Sequence, residues 1–465
     1  MKKHVFFIGI GGTGLSAIAR LLQEKGYMVS GSDQQISDLA ENLMSAGITV
    51  YLGHSADHLV DVDLVIRSSA IPDSNPEVQA AHAAHIPVYK RSDILVELMQ
   101  DQKGIAVAGT HGKTTTSAMI STMLHKLGFD PSYIIGSVSK DLGNNAHYGS
   151  GDYFVIEADE YDRMFLGLSP TIAVITNLEH DHPDCYPTFS DYLQAFKAFT
   201  EKVTPDGKLF VYRDDSGIQK LLPIITHPAV LTYGTSSDCD YQAREIAPNQ
   251  MGGYRFSVYQ NTEQSSTRLI TVELSVPGMH NVMNALVTLG ISHSLGLDIQ
   301  SAANALTEFS GTSRRFDILG EVNQITIIDD YAHHPTEIQA TLQAARSRYP
   351  GRKIWAIWQP HTYSRTKILF DEFKNSFTQA DHVIVSQIYA SREKDDGFSS
   401  SQVVDAMRHP DARYITSLED ITDYLVKNLS SSDVMLVFSA GDATQVSKDV
   451  LSRLTQKEKH HELRE

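Results

Sequence analysis

The chain has 465 residues, 42% apolar and 20% charged, with 56 acidic against 39 basic side chains and a formal net charge of −17. At roughly 150 residues per domain it is too long for one ordinary hydrophobic core and predicts about three folded domains. The acidic balance, with no long Lys/Arg run, argues against nucleic acid as a partner. Cys185 and Cys239 are the only cysteines, which excludes a disulfide framework and points to a reducing, cytoplasmic compartment. No stretch reaches the ~20 apolar residues of a membrane span, so no membrane insertion is expected.

The first residues imitate a secretory signal: Lys2 and Lys3 precede an apolar run at 5–10, and Ala17-Ile18-Ala19 follows. Gly9, Gly11, Gly12 and Gly14 interrupt that run, and a strand, a glycine turn and a helix fit it better. Leu15, Ile18 and Leu22 fall on one helical face, with Gly26 as the stop. Up to about Met99 short β-branched runs alternate with helical patterns, the mark of βαβ units on a parallel sheet. Gly9-Ile10-Gly11-Gly12-Thr13-Gly14 has the G-x-G-x-x-G form between strand and helix, and Asp33 lies about 20 residues on, where an acidic residue would take a ribose 2′-hydroxyl. On these residues alone a nicotinamide-dependent oxidoreductase is the first reading; the motif indicates a nucleotide without saying which.

A second unit opens with an apolar strand at 104–108 and runs through Gly109-Thr110-His111-Gly112-Lys113-Thr114-Thr115 into a helix. Ile120, Met123, Leu124 and Leu127 share a face of that helix before Gly128. A Gly-Lys-Thr turn between strand and helix cradles polyphosphate: backbone N–H groups face the oxygens, Lys113 would reach the β/γ-phosphates, and the Thr114 hydroxyl would ligate Mg²⁺. The strict P-loop spacing fails, because Val107 stands where its first glycine belongs. Further buried strands are predicted at 153–156 and 172–175. Glu157 or Asp159 then sits at a strand's carboxyl end, where open α/β sheets place ligands and a hard oxygen could hold the nucleotide's Mg²⁺. His180, His182 and Asp184 invite a Zn²⁺-hydrolase reading; against it, Cys185 stands where that pattern wants a further His, and a hydrolase leaves the upstream phosphate turn unexplained.

From 241 to 274 the pattern changes to two-residue alternation (Tyr254, Phe256, Val258), which predicts antiparallel strands appended to the second domain. After about Gly311 a third α/β series follows, with strands at 325–328, 354–358, 383–385 and 434–438. Asp329-Asp330-Tyr331-Ala332-His333-His334-Pro335 and Gln359-Pro360-His361-Thr362-Tyr363-Ser364-Arg365 each end a strand as polar clusters of the kind that form sites. The charged tail at 457–465 is expected to fray.

Taken together these strings resemble the Mur ligases from about His4 to Val450. The resemblance also rests on Gly31-Ser32-Asp33, Ser68-Ser69-Ala70-Ile71, Glu157-Ala158-Asp159-Glu160, Thr176-Asn177-Leu178-Glu179, His280-Asn281, Arg314-Arg315-Phe316-Asp317 and Ala440-Gly441-Asp442. Within that family the chain looks most like the members that join L-alanine to UDP-N-acetylmuramate. The resemblance implies a Rossmann-like domain at 1–100 holding the UDP-sugar through Gly9, Gly11, Gly12, Gly14, Asp33, His54 and Ser69. It implies a P-loop ATPase-like domain at 101–311 holding ATP through Gly109, Thr110, His111, Gly112, Lys113, Thr114, Thr115 and Asn281. A Rossmann-like α/β domain at 312–465 would close over both, adding Arg315 and Asp330 to the ATP contacts and binding the amino acid through Tyr331, His361 and Arg365. Lys113, Glu157 and His182 match catalytic positions, with Mg²⁺ (or Mn²⁺) on Thr114, Glu157 and His182; His182 and His334 are the candidates for the base that serves the alanine amine. The implied assembly is a monomer or weak homodimer. Three positions depart from the common pattern: Tyr161 for Ser, Pro183 for Met after His182, and Thr362 for Arg.

Overall fold

The computed structural model describes residues 3–391 and 393–462. Lys2 of the signal-like stretch and residues 463–465 of the tail lie outside the described residues. Two compact units emerge: Met1–Arg244 with Ser257–Val272 and Met283–Phe309, and Glu245–Phe256 with Glu273–Val282 and Ser310–Glu465. Among the described residues the principal strands form three sheets, and no helix is long and apolar enough to cross a membrane.

In the first sheet, β1 (His4–Ile8), β2 (Met28–Asp33), β3 (Thr49–Leu52), β4 (Leu64–Arg67) and β5 (Val88–Lys90) stand in the order β3-β2-β1-β4-β5, all parallel. Chain order reverses beside β1, so the turn after β1 opens at the switch point where such sheets take ligands. Helix α1 (Thr13–Glu24) buries Leu15, Ile18 and Leu22, and Gly26 ends it at φ +98°, a left-handed position that glycine adopts without a Cβ penalty. Helices α2 (Asp38–Ser45), α3 (Pro76–Ala83) and α4 (Arg91–Met99) complete this layer.

The second sheet contains β6 (Lys103–Ala108), β7 (Ser132–Ile134), β8 (Ala146–His147), β9 (Tyr153–Glu157), β10 (Ile172–Ile175), β11 (Lys208–Tyr212), β12 (Val230–Gly234), β13 (Tyr241–Pro248), β14 (Tyr254–Asn261) and β15 (Ser266–Glu273). Their order is β15-β14-β13-β12-β11-β10-β6-β9-β7-β8. β6 is parallel to β9 on one side and β10 on the other, with Val107 opposite Glu157 and Ala108 opposite Ile175. The expected alternating segment is β13 to β15. These are sheet neighbours joined by turns at 249–253 and 262–265, too short for anything but antiparallel pairing. Helix α5 (Lys113–Lys126) buries Ile120, Met123 and Leu124 as expected; Leu127 falls just beyond it as the C-cap, because Gly128 at φ +83° already leaves the helical path.

The third sheet lies in the second unit: β16 (Asp317–Val322), β17 (Ile325–Asp330), β18 (Ile354–Trp358), β19 (His382–Val385), β20 (Ala412–Tyr414) and β21 (Val434–Phe438), ordered β16-β17-β21-β18-β19-β20. Only β16 runs antiparallel to its neighbour. The tail differs from the sequence expectation: the helix Thr444–Glu462 continues through most of it. Val446, Val450 and Leu454, four residues apart, pack into the core with Ile327 and Met435, and this apolar stripe anchors a helix whose distal turns are charged.

Within the first unit α1 is tied to the β7/β8 hairpin. Glu24 accepts from His147 Nδ1 at 3.0 Å and from the Tyr148 amide at 2.7 Å, His147 Nε2 lies 3.3 Å from Asp130 Oδ1, and the Lys25 ammonium sits over the Tyr148 ring. Burial alone would raise Glu24, but His147 and the Tyr148 amide outweigh it and hold it below its ordinary value; the Glu24 hydrogen bond raises His147 despite its own burial. A raised histidine contributes fully below its ordinary 6.5 and loses that contribution as pH climbs through its folded value; a lowered glutamate contributes above its ordinary 4.5 and loses it on acidification. The contact is therefore strongest between those values. His147→Gln is expected to lower stability, read from the thermal midpoint, most at about pH 5.5 and least at about pH 8.5, a loss of no more than about 1 kcal/mol because both groups are part-exposed. A deficit that is flat with pH, or larger in alkali, would show that the pair does not titrate as described.

Candidate active site

The first glycine turn begins in a left-handed conformation and is crowded by neighbouring side chains. Gly9 holds φ +84°, and its amide and that of Ile10 both donate to the Ser32 carbonyl, at 2.8 and 3.1 Å. A Cβ on Gly11 would meet Ser37 Oγ at 2.9 Å, and one on Gly14 would strike Arg91 Nη1 at 2.2 Å. Asp33, at the end of β2, accepts from the Gly11 amide at 2.8 Å. Ser69 is exposed just after β4, next to Ser68, whose Cβ a side chain at Gly9 would approach to 3.2 Å. His54 is mostly buried, with Nδ1 3.0 Å from Ser32 Oγ and 2.9 Å from Glu77 Oε2. The wholly buried Glu77 also pairs with His58 at 2.7 Å, an arrangement that sequence reasoning missed because α3 carries it from elsewhere in the chain.

At the second turn, β6 delivers Gly109 to Gly112 to the carboxyl edge of the sheet. Gly109 holds φ +131°, and a Cβ there would lie 2.1 Å from Thr176 Oγ1; Gly112, at φ +84°, is the N-cap of α5. Residues after β10 brace the turn: the His111 amide donates to Asn177 Oδ1 at 2.9 Å, Asn177 Nδ2 donates to the His111 carbonyl at 2.9 Å, and Thr110 Oγ1 donates to the Glu179 carbonyl at 2.9 Å. His111 Nε2 lies 3.1 Å from Glu179 Oε2. No side-chain hydrogen bond caps α5, so its first-turn amides, with the positive end of the helix dipole, suit an anion. Thr115 is half-buried beside the buried Thr114.

The Lys113 ammonium donates to the Gly109 carbonyl at 2.5 Å, the Thr110 carbonyl at 3.1 Å and Glu160 Oε1 at 3.0 Å, with Glu160 Oε2 at 2.8 Å. Burial acts to lower Lys113, but Glu160, Asp159 and Glu157 overcome it and hold the group above its ordinary value, a firm cation. Burial pushes Glu160 up, against the pull of Lys113. Glu157, at the end of β9, accepts from the Gly136 amide at 2.7 Å. His182 follows β10 at φ +52°, its Nε2 3.9 Å from Glu160 Oε1 and its ring edge-on to Tyr161 at 5.2 Å. Thr114, Glu157 and His182 thus follow three adjacent strands on one sheet edge, and hydroxyl, carboxylate and imidazole are donors a divalent cation accepts.

The second unit assembles its own polar cluster. Asp330, at the end of β17, is buried and accepts from the Phe316 and Ala332 amides at 2.7 Å each. Burial pushes it up to about 6 in spite of Arg315 and those two amides. Arg315 reaches Glu337 at 3.1 Å and lies over the Tyr331 ring at 5.3 Å. Tyr331 contacts His333, His333 contacts His361, and His361 Nδ1 lies 3.1 Å from Arg365 Nη1. Arg365 is buried on the short helix Tyr363–Ile368, whose N-cap Thr362 holds φ +66°, a strained angle for a β-branched residue. Asn281 is on the first turn of the helix Met279–Ser294 and donates to the Pro277 carbonyl at 2.7 Å. His334 is buried as N-cap of the helix Pro335–Arg348.

The chain matches three family models in succession: the Mur ligase family catalytic domain over 4–103, the Mur ligase middle domain over 107–292, and the Mur ligase glutamate ligase domain over 314–441. It is 42% identical to the UDP-N-acetylmuramate--L-alanine ligase of Desulfosudis oleivorans, over 97% of this chain and 98% of that protein. To the ligase of the same name from Desulforamulus reducens it is also 42% identical, over 98% of each. Among solved structures it is similar to the UDP-N-acetylmuramate-alanine ligase of Thermotoga maritima, with a TM-score of 0.84 and 29% identity over 98% of this chain and 99% of that one. It also resembles a murein peptide ligase from Psychrobacter arcticus, at a TM-score of 0.72 and 27% identity over 97% and 98% of the two chains. With relatives matched almost end to end and family models running through all three sheets, the chain belongs to the Mur ligase family.

Proposed function

We propose that the protein is an ATP-dependent ligase that joins L-alanine to the carboxylate of UDP-N-acetylmuramic acid, in peptidoglycan-precursor synthesis, and that it works in the cytoplasm as a monomer or weak homodimer. What carries the reading is 42% identity to relatives of that name across nearly the whole chain. Two glycine turns on separate sheets support it, since a nicotinamide-dependent dehydrogenase has no use for the second.

A free carboxylate is a poor acyl donor, so it is first activated. A carboxylate oxygen of the muramate attacks the γ-phosphorus of ATP, the bond from that phosphorus to the bridging oxygen breaks, and an acyl phosphate and ADP result. The L-alanine amine attacks the acyl carbon, gives up a proton, and the tetrahedral intermediate expels inorganic phosphate to leave UDP-N-acetylmuramoyl-L-alanine. Bringing like-charged groups together is the main task, so alignment and charge neutralisation carry the catalysis.

In this reading Gly109 to Thr115 with Asn281, Arg315 and Asp330 hold ATP, and Lys113 offsets charge on its β/γ-phosphates. Thr114, Glu157 and His182 would hold Mg²⁺ (or Mn²⁺), which when bound supplies further positive charge beside the phosphates. Gly9, Gly11, Gly12, Gly14, Asp33, His54 and Ser69 take the UDP-sugar; Tyr331, His361 and Arg365 take the amino acid. His182 and His334 are the candidate bases.

Phosphate release from ATP, measured with UDP-N-acetylmuramate and each amino acid in turn, is expected to be greatest with L-alanine; release that needs no sugar nucleotide would overturn the reading. Lys113→Met should cost at least ~100-fold in turnover, about 2.7 kcal/mol of transition-state stabilisation, and near-normal turnover would remove it from the site. L-alanine offers little beyond its charged ends and one methyl, and a guanidinium can bind both carboxylate oxygens. Arg365→Ala should therefore raise KM for L-alanine at least ~10-fold, with smaller changes for ATP and the sugar nucleotide; a rise confined to ATP would place Arg365 at the phosphates instead.

A further inference from the structure

Glu160 has no role in the mechanism above, yet it is the carboxylate most firmly placed beside Lys113. It is fully buried. Its backbone carbonyl accepts from Tyr186 Oη at 2.5 Å and its Oε1 from Tyr192 Oη at 3.2 Å. Both tyrosines are themselves fully buried, so the carboxylate cannot swing away. An ammonium has three protons, and here Gly109, Thr110 and Glu160 take all three inside the turn. A phosphate oxygen can bond Lys113 only by displacing one of these acceptors. Two are neutral carbonyls; Glu160 is the one that bears charge, and it is also the one an incoming polyanion would be repelled by, at an ion-pair distance of 2.8 Å beyond the ammonium. Charged acceptors make roughly twice the bond of neutral ones, so the ammonium gives up a neutral carbonyl before Glu160, and the carboxylate stays to offset its charge against the phosphates.

We propose that Glu160 is a positioning residue that acts through Lys113: it holds the ammonium within the turn, competes with the nucleotide's phosphates for it, and so limits nucleotide affinity and speeds release of the product nucleotide. The inference rests on the reading of this turn as the ATP site. In a residue with a merely structural role, substitution leaves binding unchanged or weakens it; competition makes the opposite prediction, because a neutral side chain of the same shape surrenders Lys113 more readily.

The test is calorimetric titration of ADP and of ATP, each with Mg²⁺, into the full-length wild type, Glu160→Gln and Glu160→Asp, beside steady-state kcat for each. Glu160→Gln keeps the acceptor for Tyr192 and is expected to bind ADP about 10-fold tighter than the wild type, with a lower kcat as product release slows. Glu160→Asp, charged but one methylene shorter, should fall between. A folded Glu160→Gln that binds ADP equally or more weakly overturns the proposal; should that variant not fold, Glu160→Asp decides alone, and unchanged or weaker binding overturns it. Wild-type protein that binds neither nucleotide would overturn the ATP-site reading itself, an outcome distinct from wild-type binding that Glu160→Gln leaves unaltered.

Discussion

Parallel pairing of β6 with β9 on one side and β10 on the other decides what the central sheet can present. Because all three strands run the same way, their carboxyl ends share one edge, and the registers Val107 with Glu157 and Ala108 with Ile175 set the glycine turn level with the acidic segment and the Thr176-Asn177 segment. The turn has little independent stability: left-handed glycines and a strand end do not hold a shape alone. Its shape comes from the neighbouring strand, through two reciprocal bonds between Asn177 and His111 and one from Thr110 to the Glu179 carbonyl. A slip of one residue along either pairing would move Glu157 or Asn177 to the other face of the sheet.

Buried charge is the recurrent cost of this architecture. Lys113 and Glu160 offset one another, with Tyr192 donating to the Glu160 carboxylate and Tyr186 to its backbone carbonyl. Asp330 is less well compensated, since burial outweighs Arg315 and two amides and raises it to about 6. Its folded value exceeds its ordinary 3.8, so between the two the folded state holds a proton that the unfolded chain has lost. The destabilisation is absent below that ordinary value and complete above about 6. A residue kept ionised in the folded protein at such a cost is better explained by a ligand than by packing. The same logic applies to Thr362, whose φ of +66° is strained yet caps the helix that carries Arg365.

Local features were legible in the sequence. Glycine turns, the Lys113 segment, Gly26 as a helix stop and the alternation at 254–258 each depend on a few adjacent residues, and the structure has them where the pattern put them. Features made by distant residues were not. Glu160 stood in the acidic segment with no signal separating it from Glu157 or Asp159; its burial depends on Tyr186 and Tyr192, which come from beyond the next strand. Nothing local joins Glu24 to His147, which lie 123 residues apart. The tail was misjudged for a related reason: its charge is conspicuous, whereas the stripe of Val446, Val450 and Leu454 that docks the helix lies upstream of the charged residues.

The two glycine turns differ in backbone and in electrostatics: Gly12 caps α1 in an extended conformation, whereas Gly112 caps α5 at φ +84°. At the second, the ammonium of Lys113 stands in the turn and α5 leaves its first amides without a side-chain cap. At the first, the carboxylate of Asp33 occupies the Gly11 amide, and the nearby cation, Arg91, reaches Gly14 from another helix and is shared with Asp159 at 3.5 Å. A carboxylate in the turn disfavours a dense polyanion and favours a ligand that offers hydroxyls beside its phosphates. The second turn also holds a carboxylate, Glu160, but sets against it an ammonium and the uncapped first amides of α5, groups that phosphate oxygens can bond. On the proposed reading that difference assigns the sugar nucleotide to the first turn and ATP to the second, a distinction that glycines alone do not contain.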